Sequence, residues 1–407
     1  MAGVADKARF YLERAVPQLR EFEEKEIFTK DEIRTLVTKR TDFEHRVLSP
    51  GATASDFLAY ATWEQSLEAL RSRRCRRLGV RGSTSHAGQA RCLSVFERAV
   101  ARHPASVPLW RAYLDLAARA RASKRWRKVA TRALRMHPRE PGLWILAGRR
   151  AARNGDMDGA RAYFMRGCRF CAADGAVWVE YARSEMEWLA RVEAKIAAPA
   201  AKVVPEEKAK IVGGMDEDGN MQFSEDSDDG GEDDEGLVLP DPDAEFKKKG
   251  KRKVFSEEAV GKLAGNPALG GAIPLAIFDI AKKQPFFGAP AAEAFFDVFV
   301  PYTAVSSLQK ILQHVLDCMV TSYPNHPSTF NCLVRQPLVG VDPHTSTYPK
   351  ALREALARLK DGLEKTEDRA GLVAKTMAWI EPILAVEDLD SGIRIVLEHT
   401  KRKLGNP

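Results

Sequence analysis

The sequence predicts an all-α protein, a helical-repeat solenoid with an N-terminal helical extension and a disordered acidic linker. Three observations predict it. Trp110, Trp144 and Trp178 are spaced 34 residues apart, and so are Phe96, Ala130 and Phe164, and Arg98, Arg132 and Arg166. Trp110 and Tyr113, like Trp178 and Tyr181, lie three residues apart, which puts both rings on one helical face. His103-Pro104 and His137-Pro138 punctuate the pattern at the same 34-residue interval. A fixed period of this length marks a stack of helix pairs.

The elements follow in chain order. Residues 1–54 form the N-terminal helical region. Thr29-x-x-Glu32 is a capping box that opens a helix, and Ile33, Leu36, Val37, Phe43 and Val47 supply its apolar face. Residues 55–196 form the repeat array. Its first unit holds Phe57 and Tyr60, which align with Trp110 and Tyr113 at an offset of 53. The excess of 19 residues reads as an inserted basic loop over 71–89, and there Arg73, Arg74, Arg76 and Arg77 are candidate RNA phosphate contacts.

Within each repeat, Ser106 and Asp174 are good N-caps and Glu140 a poorer one. Pro108 and Pro141 fall in first turns, where a missing N–H costs little. In the second helix Val95, Phe96, Ala99 and Val100 form an apolar stripe, repeated by Val129, Ala130, Ala133 and Leu134. The small residues Ala99 and Ala133 let paired helices approach closely. His-Pro then stops the helix, because the residue before Pro disfavours the α region. Asn154-Gly155-Asp156 makes the third turn. Trp110, Trp144, Phe164, Trp178 and Tyr181 read as core, since one helix pair cannot bury its own face and neighbouring pairs can.

Residues 197–256 change character. Asp216 to Glu235 holds 11 acidic residues, too polar a tract to offset its ordering entropy by burial. Ser224 and Ser227 sit among these acids as candidate phosphorylation sites. Lys247, Lys248, Lys249, Lys251, Arg252 and Lys253 follow and read as a nuclear import signal. Helices resume over 257–407, with a pair at Glu293–Phe299 and Leu308–Leu316, a loop at 335–349, and helices at 351–365, 369–386 and 390–403.

The net charge is +7, with arginine concentrated over 71–169. No run of about 18 apolar residues suggests a membrane span, and the first 20 residues lack the apolar stretch of a secretory signal. The six cysteines read as reduced thiols; Cys168-x-x-Cys171 stands alone, without the second pair or His of a zinc site. Glycine-rich phosphate loops, His-Glu-x-x-His and a nucleophile elbow do not occur, so no catalytic residue, metal, cofactor or small-molecule substrate is expected.

The helix pairs resemble the half-a-TPR (HAT) relative of the TPR repeat. Phe57-Tyr60-Glu64 and Trp178-Tyr181-Glu185 match its aromatic-x-x-Tyr-x-x-x-Glu helix, and Val95-Phe96-Glu97-Arg98-Ala99 its second helix. Ala117 and Ala151 stand where the first helix should carry Glu, and Thr131 and Met165 where the second should. The N-terminal words Lys7-Ala8-Arg9-Phe10-Tyr11-Leu12-Glu13, Glu24-Lys25-Glu26-Ile27-Phe28-Thr29 and Lys39-Arg40-Thr41-Asp42-Phe43-Glu44-His45-Arg46 resemble the U3 small nucleolar RNA-associated protein 6 family, as do residues 273–278. That resemblance implies a non-catalytic, nucleolar subunit of the UTP-B subcomplex of the small-subunit processome. Its implied partners are β-propeller proteins and, mostly indirectly, the U3 snoRNP and 5′ pre-rRNA, in support of 18S rRNA formation. The HAT resemblance alone would equally suit another RNA machine, of splicing or mRNA 3′-end cleavage.

Overall fold

The structure is a computed structural model that describes residues 2–80, 85–197, 270–386 and 389–405. It is all-α, with no strand among the described residues. The acidic tract, Ser224, Ser227 and the basic run Lys247 to Lys253 lie outside the described residues. The chain divides into two compact units, and the division falls between Pro138 and Arg139, inside the 34-residue array.

The first unit contains α1 (Ala2–Glu13), α2 (Val16–Glu24), α3 (Lys30–Leu48), α4 (Ala54–Leu78), α5 (Ser85–Arg102), α6 (Val107–Arg119) and α7 (Ser123–Met136). Each helix packs on its successor from α2 to α7, and α1 returns onto α3. The α3 capping box is present, with the Thr29 hydroxyl and the Glu32 carboxylate each accepting from the other's backbone N–H. The basic stretch is not the loop expected over 71–89. Residues 71–78 are the last two turns of α4, and α5 begins at Ser85. The physical reason is that Arg, Leu and Ala are strong helix formers, and nothing interrupts them before Gly79. Gly79 then ends α4 at φ +65°, the left-handed cap only glycine adopts cheaply.

The second unit contains α8 (Pro141–Arg153), α9 (Met157–Phe170), α10 (Ala176–Ala197), α11 (Ala272–Ala281), α12 (Ala289–Phe299), α13 (Leu308–Ser322), α14 (Pro327–Arg335), α15 (Tyr348–Lys365), α16 (Arg369–Leu384) and α17 (Ser391–Gly405). Asp156 caps α9 by accepting from Gly159 N–H at 2.8 Å. Small residues set the α8–α9 approach: a Cβ on Gly148 would lie 2.6 Å from the Phe164 ring, and one on Gly167 2.8 Å from Trp144 Cβ. Both α11 and α12 pack against α10, the last helix of the 34-residue pattern, and Glu193 accepts from the Ser306 N–H and hydroxyl at 2.8 and 2.9 Å. The C-terminal helices thus adjoin the repeats directly.

One further helix, α14, escapes the sequence reading. Tyr323-Pro324-x-x-Pro327-x-x-Phe330 has the spacing of His137-Pro138-x-x-Pro141-x-x-Trp144. Tyr323 ends α13 at φ −139°, ψ 57°, and His137 ends α7 at φ −129°, ψ 61°. The loop expected at 335–349 shrinks accordingly, because α14 runs to Arg335 and α15 starts at Tyr348. Tyr348, Leu352, Ile380 and Leu397 then close a core of their own among α15, α16 and α17.

Candidate interaction surface

The repeat residues are held by two recurring side-chain devices. In the first, an aromatic ring of one helix lies flat on the tyrosine of the next. Phe43 stacks on Tyr60 with centroids 5.1 Å apart, Phe96 on Tyr113 at 5.7 Å, and Phe164 on Tyr181 at 5.3 Å. Each such pair contributes about 0.5–1.5 kcal/mol beyond its burial. In the first unit the tyrosine hydroxyl also donates to the glutamate beside the ring: Tyr60 to Glu44 at 2.9 Å, Tyr113 to Glu97 at 2.7 Å. An arginine further along the chain closes each set, Arg98 onto Glu44 at 2.8 and 2.9 Å, and Arg132 onto Glu97. Arg98 additionally lies 3.9 Å from the Tyr11 ring centroid, which joins α1 to the first set.

These contacts shape the titrations. Burial, then the nearby carboxylates, pushes the Tyr60 and Tyr113 hydroxyls far above the usual phenol range. Burial alone would raise Glu97, but its bonds from Arg132 and Tyr113 prevail and hold it below the ordinary carboxylate value. These are satisfied structural groups.

The second device is a bidentate ion pair with a separation of 24 residues. Arg40 donates to Glu64 at 2.7 and 3.0 Å, and Arg161 donates to Glu185 at 2.7 and 3.0 Å. In both, the arginine precedes the stacked Phe by three residues and the glutamate follows the stacked Tyr by four. The next repeat, that of Phe96 and Tyr113, carries Leu93 and Ala117 at those positions, both buried. The missing helix glutamate is therefore matched by a missing arginine, and the site is apolar on both sides.

The expected core residues are placed as follows. Phe57, Tyr60, Phe96, Ala99, Trp110, Tyr113 and Ala133 are buried in the first unit, and Trp144, Phe164, Trp178 and Tyr181 in the second. The Trp110 indole N–H donates to the Pro104 carbonyl at 2.8 Å, and His137 Nε2 sits 2.8 Å from the same oxygen. The repeated His-Pro word thus ends one helix and ties it to the turn before it. Cys168 and Cys171 are buried thiols outside any disulfide, in α9 and at its C-cap, and burial pushes Cys168 up to about 12. No group of three metal-ligating side chains occurs among the described residues, and none of their helices is long and apolar enough to cross a membrane.

The four arginines named as phosphate contacts separate. Arg74 is committed to the fold: it donates to Glu32 at 2.7 Å through both Nη atoms, donates to the Ile27 carbonyl at 3.1 Å, and lies over Phe28. Arg73, Arg76 and Arg77 face solvent on α4. Beside α1, a groove of about 660 Å³ is lined by Lys7, Phe10, Tyr11, Val47, Phe57 and Arg98. Phe10 is 57% exposed at its rim. Sequence reasoning singled out neither this groove nor the ion pairs; the signal for the pairs is the Arg-to-Glu spacing of 24 residues, visible only once the helices are aligned.

Stacked rings between successive helices, paired Arg and Glu across them, and repeated turn words define an all-α protein of repeated helical hairpins. Residues 12–103 match the family model for U3 small nucleolar RNA-associated protein 6, so the match contains Arg40, Glu44, Tyr60, Glu64 and Arg98. The chain resembles that family along a longer stretch as well. It is 31% identical over 196 residues to U3 small nucleolar RNA-associated protein 6 of Schizosaccharomyces pombe, covering 47% of this chain and 40% of the relative. It is 28% identical over 183 residues to the Homo sapiens homolog, covering 43% of this chain and 30% of the relative. A Dictyostelium discoideum homolog is 22% identical over 213 residues, covering 51% of this chain and 34% of the relative. The matched stretch spans between 30% and 40% of each of these relatives' own length.

Proposed function

We propose that this chain is a non-catalytic HAT-repeat scaffold of the small-subunit processome, acting within UTP-B in the U3-dependent processing of pre-rRNA to 18S rRNA. The observation that carries this reading is the family match over residues 12–103, which contains the whole Tyr60–Glu44–Arg98 set. A scaffold works by presenting surface, and a few buried anchors dominate the affinity of each contact. The groove beside α1, with Phe10 at its rim and Lys7 and Arg98 in its wall, has the aromatic and basic character of such a contact. β-Propeller subunits are the partners, and the U3 snoRNP and 5′ pre-rRNA are reached mainly through them. Arg73, Arg76 and Arg77 are the α4 residues placed to meet phosphate. The basic run Lys247 to Lys253 directs nuclear import and nucleolar residence, and Ser224 and Ser227 receive phosphate from an acid-directed kinase.

The test is purification of the tagged chain from nuclear extract with and without RNase. β-Propeller subunits retained after RNase, with U3 RNA lost, would support a protein-held scaffold. Spliceosomal or 3′-end cleavage factors in their place would overturn the assembly and leave the fold standing.

A further inference from the structure

The column Arg98, Arg132 and Arg166 recurs every 34 residues, and the fold uses its first two members. Arg98 closes on Glu44, and Arg132 on Glu97. The residue 34 after Glu97 is Thr131, which offers no charge, and Ala147 stands 34 after Tyr113. Arg166 thus keeps its place in the column after the carboxylate and the tyrosine have gone. It is exposed, as is Arg169 one turn on, and neither has a hydrogen bond or ion pair among the described residues. Met165 and Phe170 beside them are 49% and 54% exposed. The acid of α9, Asp158, lies at the other end of the helix and is taken up by Arg161 at 3.6 Å.

We infer that the outer face of α9 formed by Met165, Arg166, Arg169 and Phe170 is a docking surface, and that its occupant is the chain's own acidic tract, Asp216 to Glu235. Methionine, arginine and aromatic residues are the types enriched at protein interfaces. Two of the four are apolar, so a phosphate backbone would neutralise the arginines and leave Met165 and Phe170 bare. The tract supplies both chemistries, because Met221 and Phe223 directly precede Ser224-Glu225-Asp226-Ser227-Asp228-Asp229. Its apolar pair covers Met165 and Phe170 while its acids meet Arg166 and Arg169.

The chain is long enough to make this contact. Helix α10 packs on α9 and ends at Ala197. At 22 residues it is about 33 Å long. Residues 198–215 join its end to the tract and span up to about 60 Å when extended. The tract therefore reaches every part of α9. Tethering makes the contact intramolecular, so a small set of modest interactions is enough to populate it. A partner that uses this face has to displace the tract first. The inference does not rest on the assembly proposed above.

The test uses the full chain, isotope-labelled at its methionine methyl groups and carrying a nitroxide on Ser227→Cys. The native cysteines are all buried, so the new thiol takes the label. Paramagnetic broadening of the Met165 methyl signal, assigned by Met165→Leu, reports the contact. The signal should be broadened at every protein concentration. R166Q/R169Q should lose most of the broadening and R166K/R169K should keep it. Both sites are exposed, so circular dichroism and melting should match the parent's. Raising salt from about 0.1 to about 1 M shortens the Debye length from about 10 to about 3 Å and should also remove most of it. Met221→Ser with Phe223→Ser should weaken it with the charge unchanged. A Met165 signal that stays sharp would overturn the proposal. So would broadening that R166Q/R169Q leaves intact, since tethering alone then accounts for it. If broadening passes from nitroxide-bearing chains to separate isotope-labelled chains mixed with them, the occupant belongs to a second copy and the intramolecular proposal fails. It fails likewise if the signal stays sharp and shifts only when single-stranded RNA is added, because the face then serves phosphate.

Discussion

Arg40 closes a bidentate ion pair on Glu64, with Nε–Oε1 at 2.7 Å and Nη2–Oε2 at 3.0 Å, and both side chains are at most 2% exposed. The pair ties α3 to α4, and Arg161 with Glu185 ties α9 to α10 in the same way. Removing one partner leaves a buried charge without compensation, which costs about 3–5 kcal/mol. Glu64→Ala is expected to lose that much in urea unfolding. A loss below about 1 kcal/mol would mean the pair is solvated in the folded protein.

Trp144 is 5% exposed and stacks on Phe170 at 5.7 Å. Trp144→Ala should cost about 3–5 kcal/mol. A variant melting with the parent would remove Trp144 from the core.

Gly148 presents the opposite problem. Its missing Cβ leaves the space that the Phe164 ring fills, and Phe164 in turn lies on Tyr181. Gly148→Ala gains helix propensity but forces that ring to shift, with a net loss of about 1–3 kcal/mol. A stabilised Gly148→Ala protein would show that α8 and α9 can separate without cost.

Much of this was legible in the sequence because aromatic residues mark register. Trp110, Trp144 and Trp178 placed the helices to within a few residues, and the His-Pro words placed their ends. The ion pairs were not legible, since Arg40 and Glu64 meet only after two helices pack and neither residue is unusual in a helix. The stretch 71–89 was misread because its arginines look solvated; Arg71 and Arg74 are instead fastened to Glu68 and Glu32, and the break waits for Gly79. The helix α14 is too short for periodicity to reveal, although Pro327 and Phe330 repeat an earlier word.

Acid should weaken the α3–α4 junction in a defined window. Arg74's hydrogen bond, with the Thr29 N–H, lowers the Glu32 carboxyl from 4.5 to about 2. A carboxylate lowered on folding contributes stability that is present above its unfolded value and lost as pH falls toward the folded one. The contribution of Glu32 is therefore complete near neutrality and disappears between about pH 4.5 and pH 2. Its side chain is 40% exposed, so solvent screening limits the effect to about 1 kcal/mol or less. Glu32→Gln keeps a side-chain acceptor for the Thr29 N–H and loses the charge. Melting of parent and variant compared from pH 7 to pH 2.5 should show a gap that narrows through this window. A gap constant with pH would mean that the Arg74–Glu32 charge pair contributes nothing.

The apolar version of the buried pair already exists one repeat on, where Leu93 and Ala117 occupy the positions of Arg40 and Glu64. Arg40→Leu with Glu64→Ala transplants that solution. Each single substitution strands or empties one side of the site, whereas the double variant removes both charges together. Replacing a whole buried pair by apolar residues is often neutral. Arg91 lies 3.9 Å from Glu64, so some cost remains from its lost neighbour. The double variant should be more stable than Glu64→Ala alone by about 1–3 kcal/mol, a coupling typical of residues in contact. Strictly additive losses in urea unfolding would show that the two side chains act independently, and that the Leu93–Ala117 repeat is not an equivalent arrangement.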